Sequence, residues 1–358
     1  MKKIKLLLVL LSAAVMFSAC SRTAETPLQN EAQPAETDEI TTVPQDSAES
    51  ILVESQQPVT VEISTAEDLV NLSANYIANN ANATQITYVL TNDIDMSGVE
   101  DFTPVACFSG YGADDMGEGF TSTFDGQGYT ISNLTITSKE NQSAVGLFAS
   151  VAKPGVVKNL NLENISVNSV EYPVAYTGGL AGLIYGTVTN CNVQGTVDAL
   201  SSAGGFAGDA LANAYIDSCT ADVDISGQST IGGFIGSASY NAPSLSNCAS
   251  FGTVTAKRYQ ESEYQLNCIG GFVGLSVYGN FYSCHAQSNL VITEAARWVG
   301  AFAGNVFDDN VLIFDCSYSP AHAGNWDIID AFNHKKTYGD YTPYIFTADD
   351  NYTAATTN

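Results

Sequence analysis

From residue 59 onward, apolar side chains come in short runs that alternate with polar ones and are broken by Gly, Asn and Ser. Typical stretches are "GTVTNCNVQGTVDA" (186–199) and "FGTVTAKRY" (251–259), rich in Val, Thr and aromatics. This pattern predicts short strands and carries no 3.6-residue period. One segment departs from it. Ser64 and Glu67 read as an S-x-x-E capping box, followed by Leu69, Leu72, Tyr76 and Ile77 at helical spacing. An amphipathic helix there is expected to cover the open first coil, where strand edges would otherwise invite association.

The strand-rich region repeats itself. "GGLAGLIYGTVTNC" begins at 178, "GGFAGDALANAYIDSC" at 204, "GGFIGSASYNAPSLSNC" at 232, "GGFVGLSVYGNFYSC" at 270 and "GAFAGNVFDDNVLIFDC" at 300. The spacings of 26, 28, 38 and 30 residues describe a solenoid whose loops vary while its coil does not. Coils of strands and turns alone predict an all-β parallel β-helix that advances about 4.8 Å per coil. The recurring glycines are Gly178, Gly179, Gly182, Gly204, Gly205, Gly208, Gly232, Gly233, Gly236, Gly270, Gly271, Gly274, Gly300 and Gly304. Placed on one strand, Gly204, Phe206 and Gly208 would share a face, with the ring lodged between two residues that have no side chain. Stacking the coils predicts a column of Leu180, Phe206, Phe234, Phe272 and Phe302. At roughly 1.5–3 kcal/mol per buried side chain, it contributes on the order of 10 kcal/mol before entropy is counted.

Cys191, Cys219, Cys248, Cys284 and Cys316 follow their first glycines by 13, 15, 16, 14 and 16 residues. Each stands after a polar residue: Asn190, Ser218, Asn247, Ser283 or Asp315. One inward thiol per coil is expected, with Leu160 filling the slot in an earlier coil. Disulfides between coils and a metal ladder are the alternatives, but no C-x-x-C pair is present, so no metal is expected. Cys107 and Cys268 fall outside the ladder.

The first nineteen residues combine Lys2, Lys3 and Lys5 with the apolar run "LLLVLLSAAVMF" and close on "FSAC". They read as an export signal. Small residues before Cys20 make this segment resemble a bacterial lipoprotein signal, which implies cleavage before Cys20, a diacylglyceryl group on its sulfur and a membrane anchor. Residues 20–58 hold four prolines among Ser, Thr, Gln and Glu, with no aromatic and no glycine. They are expected to form a disordered acidic spacer. The β-helix is expected over 59–320. The polar stretch 321–358, with Trp326, Phe332, Tyr338, Tyr341, Tyr344 and Phe346, reads as a closing cap, or else as an aromatic sugar-binding platform. Loss of the signal leaves 9 basic residues against 38 acidic ones, a formal charge of −29. That balance argues against nucleic acid or an anionic lipid surface as partner.

The repeated phrases resemble GLUG-motif repeats. These occur in bacterial surface proteins, in filamentous-haemagglutinin-like adhesins and ahead of the catalytic domain of IgA1-specific metallopeptidases. "ISTAEDLVNLS", "YVLTNDIDMSG", "STFDGQGYTISNLTI" and "VGLFASV" are similar to the block that precedes such repeats. The likeness spans about residues 59–316. It implies a right-handed parallel β-helix at a cell surface and no particular activity, because sites are grafted on folds.

No catalytic constellation stands out. His285, His322 and His334 belong to no H-E-x-x-H, and no G-x-S-x-G or G-G-x-G-x-D occurs. The expected role is therefore non-enzymatic and cofactor-free: a surface lipoprotein that binds a host or microbial surface glycan or protein. The insert 253–269 is the first contact surface to consider. The alternative is a polysaccharide-degrading β-helix that uses clustered carboxylates. Its candidates are Asp93 and Asp95, Asp114, Asp115 and Glu118, and Asp308 and Asp309, none with a basic residue nearby to serve a lyase.

Overall fold

The computed structural model describes residues 59–76, 86–100, 102–106, 119–211, 213–257, 268–292, 298–307, 311–319 and 344–348. All lie in one unit, Gln57–Asn358. The described residues are nearly all β-structure, with parallel strands wound as a solenoid. One long sheet holds eighteen strands and two others hold six each. In the long sheet Val61, Tyr88, Phe124, Val157, Val188, Ile216, Leu245, Phe281 and Ile313 pair in register from rung to rung. Alternation puts this column in the interior, and from Tyr88 onward every member is buried. Tyr344–Ala348 continues the sheet beyond Ile313. Trp326, Phe332, Tyr338 and Tyr341 lie outside the described residues.

The one helix among the described residues, α1 (Ala66–Tyr76), buries Ser73 and packs Leu69, Leu72 and Tyr76 into the same core as the rungs. Tyr76 packs at 5.0 Å from Phe120, and its hydroxyl accepts the Thr121 N–H at 2.7 Å. The capping box sits one residue later than the sequence pattern indicates. Thr65 Oγ1 accepts the Asp68 N–H at 3.1 Å, and the Asp68 carboxylate accepts the N–H groups of Thr65 and Ser64 at 2.9 and 3.0 Å. The Ser64 N–H foremost holds the Asp68 carboxyl below its ordinary value. Glu67 takes no part, because Thr65, not Ser64, is the last residue before the helical turn.

The glycine-aromatic phrases are corners, which corrects their expected placement on one strand. The strand Ser202–Gly204 ends and Ala207–Leu211 begins in a different sheet, with Gly205 and Phe206 making the bend. The first glycines Gly178, Gly204, Gly232, Gly270 and Gly300 are register partners. Gly179, Gly205, Gly233 and Gly271 open each bend, with Ala301 in the last. Gly182, Gly208, Gly236, Gly274 and Gly304 stand one residue inside the exit strand.

The ring is buried in the core, while the first and last glycines of the phrase face the backbone of the neighbouring arm. A Cβ on Gly208 would lie 2.6 Å from the Thr177 nitrogen and 2.7 Å from the Gly182 oxygen, and one on Gly204 would lie 2.1 Å from the Ala207 oxygen. The two arms of each corner thus pack backbone against backbone, which only glycine permits there. On the core side Phe206, Phe234, Phe272 and Phe302 stack at 4.6, 4.9 and 5.0 Å, within 10° of parallel. Leu180 heads the column, and its N–H donates to the Phe206 carbonyl at 2.9 Å.

Candidate functional site

The cysteines occupy one slot per rung for a local reason. The residue before each is left-handed: Asn190, Ser218, Asn247, Ser283 and Asp315 have φ of 53, 55, 52, 49 and 54°, as does Asn159 before Leu160 at 53°. Asn and Asp tolerate this region best. Their side chains tie rungs together, with Asn190 Nδ2 donating to Asn159 Oδ1 and Asn247 Nδ2 to Asp217 Oδ1, both at 2.9 Å.

The bend leaves a carbonyl two residues before the cysteine facing the interior, and the thiol donates to it. The acceptors for Cys191, Cys219, Cys248, Cys284 and Cys316 are the oxygens of Thr189, Asp217, Ser246, Tyr282 and Phe314, at 3.3, 3.2, 3.1, 3.5 and 3.5 Å. All five are buried and outside any disulfide, and Cys268 is buried as well. Burial foremost pushes the Cys219, Cys248 and Cys284 thiols up, and the bond to Cys284 does the same for Cys316. At these four positions thiolates are therefore scarce, and burial withholds all five thiols from reagents. In the reduced native chain, at most Cys20 and Cys107 of the eight cysteines should react quickly with a thiol-specific chromophore, the rest only after denaturation. Rapid native labelling of a ladder cysteine would place it at the surface.

The exit strand Ala207–Leu211 holds a buried acid. Asp209 is 2% exposed and is in register between Leu183 and Ser237. Its Oδ2 accepts the Ser239 hydroxyl at 2.6 Å, while Oδ1 has no partner. Ser202 Oγ donates to the Gly208 carbonyl at 3.0 Å and lies 3.3 Å from Ser237 Oγ. Burial pushes the Asp209 carboxyl up to about 7 against the opposing Ser239 bond.

Of the carboxylates named as enzymatic candidates, the described residues include Asp93 and Asp95. Asp93 Oδ1 accepts the Thr130 N–H at 2.9 Å, and Asp95 Oδ1 accepts Asn133 Nδ2 at 2.8 Å and the Ser97 N–H at 3.0 Å. These are turn and rung contacts. Asp114, Asp115, Glu118, Asp308 and Asp309 lie outside the described residues, as do His322, His334 and residues 258–267 of the insert. His285 Nδ1 lies 2.5 Å from Ser317 Oγ, but Ser317 is 2% exposed and leaves no approach for a substrate. Among the described residues, no group of three or more His, Cys, Asp or Glu could hold a metal.

What the C-terminal rungs expose is aromatic. On the outer face of the long sheet, the position two before each cysteine pairs in register through Lys158, Thr189, Asp217, Ser246, Tyr282 and Phe314. Charged and hydroxyl side chains thus give way to rings. Phe314 is 49% exposed, and Tyr215, on an earlier rung of this face, is 45% exposed. The adjoining corner adds Tyr240, Tyr278 and Phe307, 45, 37 and 62% exposed. Their rungs are joined by Phe307 N–H to Ser276 O at 2.8 Å and Tyr278 N–H to Ala238 O at 3.1 Å. Apolar patches of this kind on a polar surface mark binding sites. Sequence reading missed this face, although the drift from Lys158 to Phe314 is visible once the repeats are aligned on their cysteines.

No family model matches the chain. A stretch of 149 residues, 40% of the chain, is 36% identical to halomucin of Haloquadratum walsbyi, but it spans 2% of that protein's length. Among solved structures, an immunoglobulin A1 protease-like protein of Bacteroides ovatus superposes with a TM-score of 0.55 at 20% identity, covering 72% of this chain and 74% of that one. A second, an IgA1 protease, gives 0.53 at 16% identity over 83% of this chain and 21% of its own. At these identities the likeness shows the solenoid fold.

Proposed function

We propose that this chain is a non-enzymatic, exported surface lipoprotein, anchored through Cys20, whose β-helix is a rigid binding scaffold. The observation that carries this reading is the division of labour within each rung. The recurring glycines, the Leu180–Phe302 column and the cysteines are all turned inward or pressed between arms of the coil, so the constant part of the repeat builds the coil. The outer positions change from rung to rung and end in an exposed aromatic face. The likeness of part of the chain to halomucin, and of the fold to IgA1 protease-like proteins, supports a place at a cell surface. The acidic balance leaves neutral glycans and proteins as the fitting partners.

The purified full chain should bind saturably to mucin- or matrix-coated surfaces, or to intact bacterial cells. It should release no reducing or unsaturated ends from neutral and acidic polysaccharides. Steady release of such ends would assign it to the polysaccharide-degrading class instead.

A further inference from the structure

We propose that the aromatic face of the C-terminal rungs, formed by Tyr215, Tyr282 and Phe314 with Tyr240, Tyr278 and Phe307 on the adjoining corner, binds an uncharged polysaccharide chain lying along the solenoid axis. This inference rests on the binding-scaffold reading and names its ligand. Tyr282 and Phe314 are direct register partners, so their rings stand on successive rungs about 4.8 Å apart. Tyr240, Tyr278 and Phe307 stand on the corner that leads into these strands, on rungs joined by backbone hydrogen bonds. A pyranose presents C–H faces to such rings, whose electron-rich surfaces attract them. The rung spacing is close to the advance of one sugar along an extended chain, so consecutive sugars meet consecutive rungs.

The polar groups of the same face suit hydroxyls. Ser244, Ser246 and Asn280 lie on the intervening outer positions, and among the described residues Asp217 and Asp315 are the charged side chains at its edges. The described residues that build the face, 211, 213–217, 240–246, 276–283, 306–307 and 311–315, include no Lys or Arg. A polyanion would therefore meet carboxylates with no counter-charge, whereas a neutral chain loses nothing on approach. The rings are already held on stacked strands, so little ordering cost accompanies binding.

The test is affinity electrophoresis of the full chain through gels that contain a neutral β-glucan, a mannan or a galactomannan, with polygalacturonate as the charged arm. At least one neutral gel should retard the wild-type chain, and polygalacturonate should not. Phe314→Ala combined with Tyr282→Ala should weaken the retarding interaction about tenfold or more. Tyr240→Ala combined with Tyr278→Ala should also weaken it, with melting unchanged because these rings are outside the core. Retardation that survives both double variants, retardation by polygalacturonate alone, or none by any neutral gel would overturn the proposal. In each case binding of the wild-type chain to coated surfaces would still stand if the scaffold reading is right, and its loss there would remove that reading as well.

Discussion

Replacing Phe234 by alanine should destabilise the protein by about 3–5 kcal/mol. The ring is fully buried and lies between Phe206 at 4.6 Å and Phe272 at 4.9 Å, nearly parallel to both. Truncation removes two stacking contacts and opens a cavity that the neighbours cannot fill. Phe206 and Phe272 are pinned by their own rungs, with the Phe206 N–H donating to the Phe234 carbonyl at 2.8 Å and the Phe234 N–H to that of Phe272 at 2.9 Å. In a solenoid each rung is stabilised by its neighbours, so the damage should spread along the axis and broaden the unfolding transition.

Gly236→Ala probes the other side of the same corner. Its Cβ would stand 2.6 Å from the Gly208 oxygen and 2.7 Å from the Ala203 nitrogen, which are backbone atoms that cannot step aside. The two substitutions share one bend and should not be additive. Urea melts of the single variants measure both. A Phe234→Ala loss below about 1 kcal/mol would contradict the stacked interior.

Asp209→Asn is expected to change how stability depends on pH. In the folded chain the carboxyl titrates at about 7, against 3.8 for an ordinary aspartate. Between these values the native state keeps a proton that the unfolded chain has released. Stability from this group is therefore complete below about pH 4, declines as pH rises, and is lost above about pH 7. The shift corresponds to a swing on the order of 4 kcal/mol. The cause is burial: the side chain is shut off from water and one carboxylate oxygen lacks a hydrogen-bond partner. An amide in its place would carry no such charge, so the variant should be the more stable form at pH 8 and show little advantage at pH 4. Parallel stability–pH curves for the two proteins would show that Asp209 is not shut off from water.

The helix, the strands and the repeat could be read directly from residue order. Leu69, Leu72 and Tyr76 fall on one helical face, and each corner phrase repeats the same small and aromatic types. Such periodicities are local, and chain connectivity alone makes identical phrases stack. The cap of α1 slipped by one position because Ser64-Thr65 and Glu67-Asp68 offer two overlapping boxes, and the backbone turn chooses between them. The role of the thiols was partly legible. Their constant offset marked a slot, but nothing in the order of residues shows that a left-handed Asn or Ser turns a carbonyl inward for the sulfur to bind.

What the sequence determined unaided is the coil, because an alternating pattern and a recurring Gly-aromatic phrase admit few other ways to bury their apolar residues. Which way each corner bends was left to the tertiary structure, since a phrase such as Gly204–Gly208 fits a straight strand as well as a bend. The choice is made by backbone contacts between rungs some 26 to 38 residues apart. The same long-range stacking isolates Asp209 from water and brings Tyr215, Tyr240, Tyr282 and Phe314 onto adjoining outer positions. Burial and neighbourhood are properties of the stack, and no single rung possesses them.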